Sequence, residues 1–246
     1  MTKVAEKEYE IHYYEIDQKR KALITTIIDF MQDITTDQSN QLGVGIDYLD
    51  KNNVAWVVYK WDVSMDRYPE YTEKIKIRTW AASFRKFYGY RAFDISGGNG
   101  EKIGHAMSTW FFINLNNRRP CKVIDEICEA YDTKELDTSD IDIEKIKAPT
   151  RNDSERVFHV RYSDIDTNNH VNNVKYISWA LETVPMNVML NYRLNRIIVN
   201  YEKEANYGEM VKSVTEVTEE EKGYTCVHAI LKEDGTVLTT LKTIWR

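Results

Sequence analysis

Landmarks in the first half of this chain return in the second half at a nearly constant spacing, and that repetition restricts the fold more than any other feature. Gly89-Tyr90 returns as Gly223-Tyr224, the Asn99-Gly100 turn as Asp234-Gly235, Trp110 as Trp245, and Tyr71 with Glu73 as Tyr207 with Glu209. Asn-Gly and Asp-Gly between alternating apolar runs are hairpin signals. Ahead of these landmarks each half carries a helical apolar register. In the first half Ile24, Ile27, Ile28, Met31 and Ile34 run toward Gly43, and strand-like segments follow at 53–63, 73–82, 87–95 and 103–113. In the second half a helix is predicted at about 171–184, with strand-like segments at 196–204, 209–217, 223–232 and 236–245. The same helix-then-strands order in both halves marks a tandem repeat. Each copy is a long helix wrapped by a largely antiparallel sheet, an α+β architecture. The units are residues 1–124 and 151–246. Between them, 125–150 is an acidic, Ser/Thr/Asp-rich connector predicted to cross the surface, with a short helix in its first part.

Composition narrows the function classes. Of the 246 residues 42% are hydrophobic, enough for real cores, and the 16 Tyr and 6 Trp suit pleated surfaces. A formal net charge of −6 argues against nucleic acid as a partner. The N-terminus has no apolar signal region and no apolar run approaches a bilayer span, so no membrane insertion is expected. Cys121, Cys128 and Cys226 have no metal-ligand spacing and cannot all pair, which suits a reducing cytosol. The glycines at 97, 98 and 100 form a hairpin turn rather than a phosphate cradle, since strands surround them. No dinucleotide fingerprint, P-loop or metal cluster is present, so neither metal nor cofactor is expected.

Chemistry concentrates in residues 161–185, RYSDIDTNNHVNNVKYISWALETVP. Asp166, Asn168 and His170 occupy alternate positions, so an extended segment points all three to one side. The apolar register Val171, Val174, Ile177, Leu181 and Val184 then has helical spacing, and Pro185 sets a boundary near Val184. A carboxylate, an amide and an imidazole thus arrive at a helix start. The backbone N–H groups of Val171 and Asn172 are candidates there to receive an oxyanion. Taken singly, an Asp-x-Asn before a helix is an ordinary cap and a nearby His an ordinary structural residue; joint occurrence favours a site.

The stretch DTNNHVNNVKY, residues 166–176, resembles the Asp-x-Asn-x-His signature of the acyl-acyl carrier protein (acyl-ACP) thioesterases of plastids and bacteria. Residues 54–80 and 108–120 resemble the same family, and the likeness extends over roughly 8–246. It implies a tandem double hotdog, in which each central helix is wrapped by a curved sheet. It also implies a fourth catalytic member, Glu204, matched within 199-VNYEKEA-205; in the first half Tyr68 stands at that place. Plant members follow this Glu with Cys. Ala205 excludes a thiol nucleophile here and leaves attack by water. Glu204 is the candidate base, His170 and Asn168 would hold the water or polarise the carbonyl, and Asp166 would orient them. The opposite assignment, with His170 as base, stays open.

The resemblance further implies an acyl tunnel in the first unit, for which Ile27, Met31, Trp56, Val58 and Trp80 are candidates. The expected partner is an acidic acyl carrier protein bearing a phosphopantetheine-linked acyl chain, with Arg118, Arg119 and Lys122, or Arg85 and Lys86, as docking cations. The lack of a transit-like leader favours the bacterial cytoplasm over a plastid, and association into a homodimer is left open. Alternatives are an acyl-CoA thioesterase with the same residues and a non-catalytic acyl-binding module. A hotdog hydratase is disfavoured because its motif carries Pro where Asn169 stands.

Overall fold

The computed structural model describes residues 3–133, 143–166 and 169–246. The chain divides into two compact units, Met1–Tyr59 with Met65–Ile143, and Lys60–Ser64 with Glu144–Arg246. The first contains β1 (Val4–Glu10), α1 (Ile24–Gln41), α2 (Ile46–Lys51), most of β2 (Val54–Met65), β3 (Lys74–Arg85), β4 (Tyr88–Ser96), β5 (Lys102–Asn114), β6 (Arg119–Pro120) and α3 (Asp125–Tyr131). The second contains β7 (Ser154–His159), α4 (Asn173–Leu181), α5 (Met186–Asn191), β8 (Leu194–Tyr201), β9 (Met210–Glu220), β10 (Gly223–Lys232) and β11 (Val237–Trp245). No helix among the described residues is long and apolar enough to cross a membrane.

In the first unit the sheet order is β1-β3-β4-β5, with β2 and β6 beside β5. Helix α1 buries Ile24, Ile27, Ile28, Met31, Ile34 and Gln38, a single stripe at helical spacing. That stripe ends polar. The Gln38 Oε1 accepts from the buried Arg91 guanidinium at 2.6 Å, and Arg91 also donates to Thr79 Oγ1 at 3.1 Å. Burial holds Arg91 below the usual guanidinium range. Strand β1 was not foreseen. It is an edge strand whose outward Glu6 and Glu8 face Lys74, Lys76 and Arg78, so after Val4 the exposed side of its alternation is charged.

In the second unit the order is β8-β11-β10-β9-β7, and Lys60–Ser64 pairs antiparallel with β8. Helix α4 is shorter than its apolar register. The Asn172 side chain caps its start by accepting the Val174 N–H at 2.9 Å, and Leu181 ends it before the Thr183 hydroxyl turns back to the Ala180 carbonyl. The buried face of α4 carries Val174, Ile177 and Ala180 but also Tyr176 and Trp179. His228, on β10, is a core residue: its ring nitrogens lie 2.7 Å from Thr215 Oγ1 and 2.9 Å from Thr243 Oγ1, and burial pushes its pKa down to about 3. It is neutral and structural.

The repeat holds at the level of single bonds. The Trp110 indole N–H donates to Ser108 Oγ at 2.8 Å, and that of Trp245 donates to Thr243 Oγ1 at 3.0 Å. The 125–150 segment departs from a surface connector in its first part, where α3 buries Ile127 and Tyr131 one turn apart in the first unit's core. Residues 134–142 lie outside the described residues.

Gly223 opens β10 at φ 132°, where a Cβ would lie 2.0 Å from the Trp245 carbonyl oxygen. Gly223→Ala is expected to cost about 3 kcal/mol of unfolding free energy, from the disallowed φ and this clash together. Chemical denaturation of both proteins measures it.

Candidate active site

The chain leaves β7 through the buried Val160 into a short 3-10 turn at Tyr162–Asp164. Asp164 is fully buried and ties this turn in place. Its carboxylate accepts the Arg161 backbone N–H at 2.9 Å and the Arg161 guanidinium at 3.0 and 3.1 Å. Its carbonyl accepts the Asn172 N–H at 2.8 Å, which fixes the residue that caps α4. Burial alone would raise the Asp164 carboxyl. The bonds from Arg161 and the charges of Arg161 and Lys175 outweigh it and hold the group below the usual carboxylate range.

From there Ile165 pairs with Val171 in an isolated bridge that closes the loop carrying the signature. The Asp166 N–H donates to the His170 carbonyl at 2.8 Å, while Asp166 Oδ1 accepts the His170 N–H at 3.4 Å. Asn169 turns the chain with φ 64°. Asn168 lies outside the described residues.

Glu204 comes from the loop after β8 rather than from the strand itself. Glu202 and Lys203 both donate their N–H groups to the Leu238 carbonyl, and the chain leaves the sheet there. That loop meets the signature loop through the Val171 N–H, which donates to the Ala205 carbonyl at 3.1 Å. The result is a contact of 3.2 Å between His170 Nε2 and Glu204 Oε2, with the imidazole 16% exposed and the carboxylate 42%. A shielded imidazole against an accessible carboxylate is a pair able to take a proton from a water and pass it on.

Other expectations fare differently. The Val171 and Asn172 N–H groups are not available for an oxyanion, because each already donates to a carbonyl, of Ala205 and Asp164 respectively. Ile27, Met31 and Val58 are buried in the first unit, and Trp56 packs against Phe84 and Phe112. Trp80 does not join them. Ile75, Ile77, Thr79 and Ala81 are the buried face of β3, so Trp80 lies on the other face with Lys74, Lys76 and Arg78. Arg118 and Arg119 are exposed at a tight turn, and Lys122, exposed as well, is ion-paired with Asp125 at 2.9 Å. The Lys86 carbonyl accepts the Val123 N–H at 2.8 Å, which brings Arg85-Lys86 beside this segment.

Three residues escaped the sequence analysis. They are Asp164, Tyr176, whose hydroxyl accepts the Ala205 N–H at 2.8 Å, and Tyr201, whose hydroxyl donates to the Asn173 carbonyl at 3.0 Å. The signal for Asp164 was its i, i+3 spacing from Arg161; Tyr176 stood inside the signature stretch itself.

A second finding is that the first unit repeats the loop. Ile16 bridges Ala22, Asp17 N–H donates to the Lys21 carbonyl at 2.8 Å, Leu23 N–H to the Glu15 carbonyl at 2.9 Å, and Ala22 N–H to the Pro69 carbonyl at 2.9 Å. Arg20 takes the left-handed turn position at φ 61°. These match the bonds around Ile165, Asp166, Asn172 and Val171 one for one. Among the three signature positions only the first is kept: Asp17 remains, while Lys19 and Lys21 replace the amide and the imidazole. Lys21 pairs with Glu70. The sequence comparison missed this loop because α1 has 18 residues and α4 has 9, which breaks the constant offset ahead of the strands.

Residues 2–131 match the acyl-ACP thioesterase N-terminal domain and residues 147–246 the acyl-ACP thioesterase C-terminal domain. A chloroplastic acyl-[acyl-carrier-protein] hydrolase of Cuphea viscosissima is 30% identical over 99% of this chain, which spans 62% of that relative's length. Among solved structures, a Lactobacillus plantarum protein assigned as an oleoyl thioesterase superposes with a TM-score of 0.90 at 27% identity, covering 100% of this chain and 96% of that one. An acyl-ACP thioesterase from Bacteroides thetaiotaomicron gives 0.88 at 25% identity, covering 99% and 98%. These likenesses bear out the tandem double-hotdog fold that the family resemblance implies.

The Asp164 bonds give a pH test. A carboxyl held below its ordinary value stabilises the fold above that value, and the contribution disappears as pH falls through the folded pKa. Asp164→Asn is therefore expected to be less stable than the parent by about 3 kcal/mol at pH 7. The difference should persist down to about pH 4 and shrink below it. Denaturant titrations across pH 3–7 measure it.

Proposed function

We propose that this chain, which belongs to the acyl-ACP thioesterase family, hydrolyses the thioester of a fatty acyl-ACP to free fatty acid and carrier, ending chain elongation. The observation that carries the proposal is the 3.2 Å pairing of His170 with Glu204 in one of two otherwise matching loops. Only the second unit is equipped for chemistry.

In the proposed step a water attacks the thioester carbonyl. The Glu204–His170 pair removes its proton as the new C–O bond forms. The tetrahedral intermediate then expels the phosphopantetheine sulfur, which receives the proton as the C–S bond breaks. Asn168 is assigned to the water or the carbonyl oxygen, and Asp166 to orienting the loop through its bonds to His170. Ala205 offers no thiol, and the attacking atom in this step is assigned to water oxygen. The acyl chain is assigned to the first unit, alongside Ile27, Met31, Trp56 and Val58. Arg118, Arg119 and Lys122 form the proposed docking surface for an acidic carrier, with Arg85 and Lys86 as the second candidate; the Lys122–Asp125 pair is exposed, so its cation can still meet a carrier carboxylate.

Free-thiol release from acyl-ACP is expected to fall by about 10²–10⁴-fold in kcat for both Glu204→Gln and His170→Asn. The variant that removes the base should also abolish the acidic limb of the pH–rate profile. Unchanged turnover in both variants would end the proposal, and equal kcat/KM for acyl-CoA would shift it to the CoA ester. Charge reversal at Arg118 and Arg119 is expected to raise KM for acyl-ACP at low salt and leave a small acyl thioester unaffected.

A further inference from the structure

Ala205 is held from both sides. It is wholly buried, although Glu202, Lys203 and Glu204 ahead of it are exposed. Its carbonyl accepts the Val171 N–H, and its own N–H donates to the Tyr176 hydroxyl oxygen. That N–H belongs to the peptide joining Glu204 to Ala205. A planar peptide fixed at its nitrogen fixes the carbonyl carbon of Glu204, and so the origin of its side chain. Tyr176 is itself held by packing: it is buried on α4 and meets Trp179 and Tyr201 edge-on.

The first unit supplies an internal control. There the Ala22 N–H donates to the Pro69 carbonyl, so the first of the two bonds is kept. The second is ruled out covalently, because Pro69 has no N–H. The helix residue corresponding to Tyr176, counted from the matched Ala22 and Val171, is Ile27. The residue corresponding to Glu204 is Tyr68. Carboxylate, amide donor and phenol occur together in one loop, and all three are replaced in the other. A buried loop needs neither the phenol nor the donor to hold its shape, since Ile27 and Pro69 close the first unit's loop without them. Burying a hydroxyl carries a desolvation cost that an isoleucine avoids.

We infer that Tyr176 is a positioning residue for the hydrolysis, setting the His170–Glu204 distance through the Glu204–Ala205 peptide. The inference rests on the function proposed above and adds a requirement to it. Loss of the bond lets the carboxylate drift while the acyl and carrier contacts stay in place, so kcat suffers and KM does not.

Tyr176→Phe deletes the acceptor, Ala205→Pro deletes the donor, and the double variant reproduces the first unit's arrangement with nothing left unpaired. Each single variant is expected to lower kcat for acyl-ACP by about 10–100-fold with KM within about twofold, a loss typical of outer-sphere supports. The His170 ring resonances, followed by NMR in the free enzyme, should move toward those seen in Glu204→Gln. The double variant should regain the parent melting temperature but neither its kcat nor its His170 ring resonances. Recovery of kcat in the double variant, or His170 ring resonances unchanged in all three, would overturn the inference. The NMR measurement needs no substrate. If Glu204→Gln leaves acyl-ACP hydrolysis intact while Tyr176→Phe still moves the His170 ring resonances, the proposed function fails and the positioning contact stands.

Discussion

A backbone bond beside the paired imidazole and carboxylate joins the two segments on which this site is built. The Val171 N–H meets the Ala205 carbonyl at 3.1 Å, tying the turn that precedes α4 to the loop that follows β8. Neither segment holds the whole of the proposed catalytic group by itself. The turn carries Asp166, Asn168 and His170, and the loop carries Glu204. Because Val171 and Ala205 are both buried, the bond is shielded from water and costly to break. Asp164 and Asn172 act on the same junction from one side by fixing the helix start, and Tyr176 acts from the other by holding the Ala205 N–H. The imidazole–carboxylate contact follows from this frame.

The same frame exists twice in the chain and serves different ends. Around Asp17 and Lys21 the backbone makes the bonds seen around Asp166 and His170, yet the side chains form a Lys21–Glu70 ion pair where the second unit places its imidazole. The fold therefore provides the turn, and the identities of a few side chains decide whether it carries chemistry. Keeping Asp at the first position of both loops fits a structural task. Asp17 Oδ1 accepts the Lys19 and Lys21 N–H groups, as Asp166 Oδ1 accepts that of His170.

The sequence disclosed features that depend on local pattern. Apolar spacing located α1, Asn-Gly and Asp-Gly located the hairpins, and the paired tryptophans recur down to their indole bonds. What was hidden depended on partners distant in the chain. The Val171 and Asn172 donors looked free because their acceptors, Ala205 and Asp164, are set by tertiary contact. Trp80 resembled a core residue by type, but the face of β3 is decided by alternation, which sets it among lysines and arginine. Strands β1 and β7 escaped notice because edge strands with few buried residues lack the apolar density of central ones. Of the site, the signature was legible from spacing and Glu204 from resemblance alone. Tyr176 was legible only once its bond to the Ala205 N–H could be seen.

Direct attack by water at a site framed by His170 and Glu204 is the central claim, and isotope placement tests it most directly. A single turnover of acyl-ACP with enzyme in excess, run in ¹⁸O-water, gives a fatty acid whose oxygens can be counted by mass spectrometry, alongside the peptide containing residue 204. Direct attack predicts one ¹⁸O in the fatty acid and none in that peptide. An unlabelled fatty acid with ¹⁸O in the Glu204 carboxyl would mean that Glu204 had attacked the thioester itself, and would contradict the account.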